Sequence, residues 1–200
     1  MEYICHRINS AAQLREVPEQ FGAEIDLRDN TDGRIYLSHD PFVTGPDFEE
    51  FLQAYHHGLL ILNIKSERIE HRVLELLQQY GVQRYFFLDS SFPMMYLLSG
   101  QGIRDIAVRF SEYEGLDTLR QTAGRAEWVW ADCFSRCVLT PESYAALKEM
   151  GYRICLVSPE LQGRPEDIAA HAEYLKRSGL IPDAICTKQH QIPLWQTYFG

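Results

Sequence analysis

The chain has 200 residues, 46% of them hydrophobic and 12% aromatic, with a formal net charge of −9 and a pI near 5.2. That apolar content suits a packed core, and a chain of this length buries roughly 70% of the surface it exposes when unfolded, so no staple is required. The acidity excludes non-specific nucleic-acid binding but leaves room for a local basic pocket around one phosphate.

In chain order, Tyr3 to Cys5 reads as a brief apolar strand ending on His6 and Arg7. Asn9 or Ser10 then offers a cap for a helix through about Gln20. The next strand, Ala23 to Leu27, carries Glu24 and Asp26. Residues two apart in a strand share a face, so both carboxylates project to one side. On a buried face they repel each other and lose hydration, and they persist if a cation or hydrogen-bond donors satisfy them. Oxygen ligands without a thiolate favour a hard ion such as Mg²⁺ or Ca²⁺ over zinc. The competing reading is the polar face of a solvated edge strand. Asn30 to Gly33 is turn chemistry and Arg34 to Leu37 a second extended run, which swings His39 back over the end of the sheet.

Pro46 and Asp47 open a helix across FEEFLQAYHH, which Gly58 ends. Leu59 to Ile64 is an almost continuous apolar run, typical of a strand covered on both faces, with Asn63 and Lys65 at its end. The pattern then repeats. A helix over Glu67 to Tyr80 precedes a strand, Tyr85 to Leu88, that ends on Asp89, and a short helix starts at Phe92. Asp105 to Phe110 is a strand carrying Arg109, and Trp128 to Ala131 is another, followed by Asp132. Thr140-Pro141-Glu142 starts a helix, Arg153 to Val157 is a strand ending on Ser158, and Pro165 to Ser178 is helical. Asp183 to Thr187 is the last strand and ends on Lys188, before a terminal aromatic turn with Trp195 and Phe199 that caps the core.

Eight apolar strands therefore begin near residues 3, 23, 59, 85, 105, 128, 153 and 183, with helical segments between nearly all of them. Alternating β and α units mean parallel strands, and eight units favour a compact single (β/α)₈ TIM-type barrel over an open doubly wound sheet. No Gly-rich phosphate loop follows the first strand, and one domain over residues 1–200 is expected. The charged residues cluster at strand C-termini, where barrel active sites are built.

Five cysteines are an odd number without zinc-knuckle spacing. Cys5, Cys155 and Cys186 lie in apolar runs and are expected to be buried free thiols. Cys133 and Cys137, four apart in CFSRC, could face each other on a helical turn, but two ligands do not make a structural zinc site. Reduced cysteines fit a cytosolic compartment. MEYICHRIN is too short and too polar for a signal peptide, and no run approaches membrane-spanning length. A cytoplasmic protein with no stable membrane insertion is the expectation.

His6-Arg7, GAEIDLR, DGRIYLSHDP and LNIKSE together span residues 4 to 67, and ICTK closes the last strand. In these pieces the sequence resembles the glycerophosphodiester phosphodiesterase family, within the wider superfamily of phosphatidylinositol-phospholipase-C-like phosphodiesterase barrels. The resemblance implies that His6 and His39 are an acid–base pair and that Glu24 and Asp26 hold a divalent cation, Mg²⁺ or Ca²⁺. It also implies that Arg7 and Lys65 contact phosphate. Asn63 stands where the family has a third metal carboxylate, and its oxygen can still ligate such a cation at the loss of one charge. Asn9 and Glu67 are candidates to compensate. Ile8 and Asn9 replace the family's glycine after His-Arg, and its Glu-Asn pair is missing; Gln13 and Glu16 occupy that neighbourhood.

Arg109, Asp132 and Lys188 are candidates for substrate contact or for supporting salt bridges. Glu112 and Glu114 read as loop surface, His56, His57, His71, His171 and His190 as helix-face or loop residues, and Trp128 and Trp130 mainly as packing. The chemistry agrees with the implied roles. A phosphodiester carries a negative charge and a poor alkoxide leaving group, so its cleavage calls for cations on the non-bridging oxygens, a base and an acid. The expected substrate is a small phosphodiester, a glycerophosphodiester or a phosphodiester-linked glycan precursor. The competing readings are a catalytically weak phosphate-binding barrel with a regulatory role, and a phosphodiester lyase.

Overall fold

Short apolar runs alternate with amphipathic ones along the chain, and the two periodicities sort them into strands and helices. The computed structural model describes residues 1–200. The strands are β1 (Glu2–Cys5), β2 (Gly22–Asp29), β3 (Ile35–Leu37), β4 (Leu60–Ile64), β5 (Tyr85–Leu88), β6 (Ala107–Phe110), β7 (Trp128–Ala131), β8 (Arg153–Val157) and β9 (Ala184–Thr187). The helices are α1 (Ala11–Leu14), α2 (Phe48–Gln53), α3 (Glu70–Gln79), α4 (Phe92–Gly100), α5 (Leu116–Thr122), α6 (Pro141–Glu149), α7 (Ile168–Arg177) and α8 (Ile192–Phe199).

Eight strands pair in parallel in the order β5-β4-β2-β1-β9-β8-β7-β6. β5 meets β6 through one isolated bridge, Phe87 with Ile106, which brings the ring nearly to closure. The architecture is an α/β barrel of the expected kind, and the eight expected strands form it. β3 stands outside the ring, antiparallel to the end of β2 with Leu27 opposite Leu37. It is this extension that carries the chain back to His39.

Several helices are shorter than their apolar pattern predicts. α1 is a single turn that stops before Gln20, because Pro18 cannot donate to a helix and disfavours the helical region at the residue before it. α2 ends at Gln53 rather than at His57. There the Tyr55 hydroxyl donates to the Gly58 carbonyl and His57 Nε2 lies 2.9 Å from the Val17 carbonyl, which draws the chain out of helical register. α3 starts at Glu70 because Arg68 sits at φ 69°, outside the helical region.

Strand alternation divides the core. One set of side chains, including Ile4, Ile61, Phe86, Trp128, Cys155 and Cys186, fills the ring, where Trp128 stacks on Phe86 at 4.6 Å. The opposite set, such as Ala23, Ile25, Leu27, Leu60 and Leu62, packs outward with the helices. Each fully buried Leu or Phe contributes about 1.5–3 kcal/mol relative to exposure. Cys5, Cys155 and Cys186 are buried free thiols, as expected. Along β2 the inward positions are Gly22, Glu24 and Asp26, since their neighbours face outward. Gly22 has to be glycine, because a Cβ there would lie 2.2 Å from the Leu59 carbonyl oxygen. No helix is long and apolar enough to cross a membrane.

Candidate active site

The C-terminal ends of the strands surround a cavity of about 380 Å³. Its wall holds His6, Arg7, Glu24, His39, Asn63 and Lys65, with Arg109 and Asp132 across from them. Six separate segments, from the end of β1 to the loop after β7, thus bring together most of the residues singled out in the sequence. Asp26 lies just behind the wall, and Lys188 reaches it through His6.

Glu24 and Asp26 are each 1% exposed. The Arg7 backbone N–H donates to Glu24 Oε2 at 2.8 Å, and Asn63 Nδ2 donates to Glu24 Oε1 at 2.9 Å. Arg7 makes its bond from the left-handed region, φ 59°, a conformation that costs a non-glycine residue about 1–3 kcal/mol. Asn9 clamps Asp26 twice, donating from Nδ2 to Oδ2 at 2.8 Å and accepting the Asp26 N–H on Oδ1 at 2.9 Å. Asp26 Oδ1 and Asn63 Oδ1 are buried without any hydrogen-bond partner, on strand positions that face each other in register. Lys65 Nζ is 3.8 Å from Asp26 Oδ1, too far for a hydrogen bond. Burial, followed by the charge of Asp26, pushes the Glu24 carboxyl well above the usual range. Two unspent oxygens beside an under-neutralised carboxylate are a donor set that fits a hard cation.

The histidines differ in setting. His6 is held down to about 3 by burial first, then by the charges of Lys188, Arg7, His39 and Lys65, so its imidazole is neutral near pH 7. Lys188 Nζ lies 3.0 Å from His6 Nδ1, which assigns the ring hydrogen to Nε2. His39 is more open, 43% exposed, with Nδ1 2.8 Å from Asp40 Oδ1. Its backbone carbonyl accepts from Arg28 Nη2 at 2.9 Å, which pins the loop to the end of β2.

Arg109 is already committed. It grips Asp89 with two bonds, Nε to Oδ1 at 2.7 Å and Nη2 to Oδ2 at 3.1 Å, and Asp132 with Nη1 at 2.9 Å. Asp89 also sits at a positive φ, 60°. Gln162 completes Asp132 by donating from Nε2 to Oδ1 at 2.7 Å. Neither Asn9 as a clamp on Asp26 nor Gln162 carries a local signal, although Asn9 stands in one of the positions where the chain departs from the family pattern. Glu67 does not compensate at the cradle: its carboxylate accepts from Ser91 on the neighbouring loop. Ser158, at a strand end, serves packing and accepts from the buried Trp195 indole. Of the two tryptophans of β7, Trp130 lines the cavity and Trp128 packs inside the ring.

Glu112 lies on the partly exposed loop after β6, as expected, but it also organises a second loop. Its carboxylate accepts the backbone N–H groups of Phe134, Ser135 and Arg136, so the CFSRC segment folds as a loop around it rather than as a helical turn. Against the upward push of burial, the Ser135 and Arg136 amides hold Glu112 down to about 2. A carboxylate depressed in the folded state stabilises it above its unfolded value of 4.5 and loses that contribution as pH falls towards 2. Glu112→Gln should therefore lower the melting temperature at pH 7, and the gap to the parent chain should narrow below about pH 4.5, as calorimetry across that range would show.

Ring, crossover helices and a polar site at the strand C-termini define a (β/α)₈-type barrel. No protein-family model and no curated protein sequence matches the chain. Among solved structures it is similar to a glycerophosphodiester phosphodiesterase from Agrobacterium tumefaciens, with a TM-score of 0.66 and 17% identity over 93% of this chain and 96% of that one. It is also similar to a glycerophosphoryl diester phosphodiesterase from Parabacteroides distasonis, with a TM-score of 0.68 and 16% identity over 99% of this chain and 86% of that one. At such identities the likeness establishes the fold.

Proposed function

We propose that the chain is a phosphoric diester hydrolase that cleaves a glycerophosphodiester-like P–O bond, with His6 and His39 as base and acid. The observation that carries this reading is the convergence of both histidines with Glu24, Asn63 and Lys65 on one cavity. The two structural neighbours, each a glycerophosphodiester phosphodiesterase, support the same substrate class.

Glu24, Asp26 and Asn63 would hold the divalent cation, Mg²⁺ or Ca²⁺. Bound there, it supplies positive charge for the non-bridging phosphate oxygens. The need is visible in the balance of charges, since Arg7, Lys65, Arg109 and Lys188 are offset by Glu24, Asp26, Asp89 and Asp132. Arg7 lies 3.7 Å from Asp26, and Lys65 lies 3.8 Å from Asp26 and donates to Asp89 at a long 3.4 Å, so both would turn to phosphate by giving up only weak contacts.

His6 takes the proton of a substrate hydroxyl next to the phosphate as that oxygen attacks phosphorus. The arriving phosphate draws Lys188 off Nδ1 and frees the imidazole lone pair. His39, oriented by Asp40, gives a proton to the departing alcohol oxygen. One P–O bond forms and one breaks, leaving a cyclic phosphate, which water then opens with the proton roles reversed.

The purified chain should release glycerol phosphate from glycerophosphodiesters in Mg²⁺, Ca²⁺ or Mn²⁺ and stop in EDTA. Asn63→Glu, by restoring a third carboxylate, should lower the cation concentration needed for half-maximal turnover. Phosphate binding without turnover under every metal would replace this reading with the regulatory one.

A further inference from the structure

Behind the loop that follows β7, outside the cavity itself, the geometry points to a second metal site formed by Cys133, Cys137 and His171, suited to a thiophilic cation such as Zn²⁺. Cys133 and Cys137 bracket the loop after β7, and His171 projects from α7. Their ligand atoms all lie within 4.8 Å of one another. Zinc–sulfur bonds of about 2.3 Å at tetrahedral angles place two thiolates roughly 3.8 Å apart, so small side-chain rotations close the site.

A second, independent observation marks the same place. His171 is 8% exposed, and its Nδ1 is buried without a hydrogen-bond partner. A buried ring nitrogen left unpaired is unfavourable, and a bound cation would satisfy it. Outside their contact with each other, the two thiols donate only to backbone carbonyls, each at 4.0 Å. Both cysteines are free, Cys133 fully buried and Cys137 half-buried, which leaves the outer side open for water as a fourth ligand.

The surrounding bonds hold the three ligands in place before any ion arrives. The Glu112 carboxylate gathers the amides of residues 134–136, which fixes the middle of the loop between the two cysteines. Arg164 donates to the carbonyls of Cys133 and Phe134. The Tyr174 hydroxyl, one turn along α7 from His171, donates to the Leu139 carbonyl at 3.1 Å. Two thiolates and one imidazole neutralise a divalent cation and select zinc or copper(I) over Mg²⁺ and Ca²⁺. This site and the carboxylate cradle therefore take different metals.

Titrating the chelator-stripped, reduced full chain with Co²⁺ tests the assignment. One equivalent should bind with thiolate-to-cobalt charge-transfer absorption and tetrahedral visible bands, both bleached by Zn²⁺. Cys133→Ser with Cys137→Ser should abolish the bands, and His171→Ala should weaken binding by at least the roughly 10–100-fold that loss of an outer partner costs. Glu24→Gln should leave them intact. Slower alkylation of Cys137 in the Zn²⁺-loaded parent chain gives the same answer without a variant. Absence of charge-transfer absorption in the parent chain overturns the assignment, as do bands that survive in the double variant. A Cys133–Cys137 disulfide that forms equally fast with and without Zn²⁺ also overturns it.

Discussion

His39→Ala is expected to reduce turnover of a glycerophosphodiester with a simple alcohol leaving group by roughly 10²–10⁴-fold, the usual worth of a positioned proton donor. The side chain is 43% exposed and bonded only to Asp40, so its loss should leave the unfolding midpoint nearly unchanged. The leaving group provides the sharper readout. A phenol such as p-nitrophenol departs without protonation, so His39→Ala should be largely spared on a glycerophosphodiester whose leaving group is p-nitrophenol and whose glycerol hydroxyl is intact. His6→Ala should be equally slow on both substrates, because a base is still required. Equal losses on both substrates in His39→Ala would remove it from the acid role.

Trp195→Ala should be the most damaging single change to stability, at about 3–5 kcal/mol. The ring is fully buried in the outer core, stacked near Phe199 at 6.2 Å, and its Nε1 donates to Ser158 Oγ at 2.8 Å. Truncation leaves a large void and strips a buried hydroxyl of its donor. For a chain of this size the melting temperature should fall by roughly 6–20 °C. Trp195→Phe keeps most of the volume and loses chiefly the hydrogen bond, about 1 kcal/mol. A urea midpoint for Trp195→Ala within error of the parent chain would show that α8 contributes little to holding the barrel.

The barrel was legible because its strands are short apolar runs bounded by turns, and every one of the eight reappears in the ring. His6, Glu24, Asp26, His39, Asn63 and Lys65 were legible because motif and strand phase place them together. Less accessible were bonds between distant segments. Nothing local says that Asn9 clamps Asp26 or that Gln162 completes Asp132. Helix ends fall short of the apolar periodicity where tertiary bonds or a positive φ override it, as at His57 and Arg68. The four-residue spacing in CFSRC is compatible with a helical turn, yet the Glu112 carboxylate, some twenty residues earlier, organises the segment as a loop. His171 looked like an ordinary helix-face residue because the loop it meets lies far away in the chain.

The joint between β5 and β6 has a mechanical consequence. Neighbouring strands elsewhere share ladders of two or more residue pairs, but here one bridge is supplemented by the grip of Arg109, on β6, on Asp89, just after β5. The hoop is fastened at this point largely by charge, within reach of solvent ions. Ionic strength therefore acts on how tightly the ring is laced.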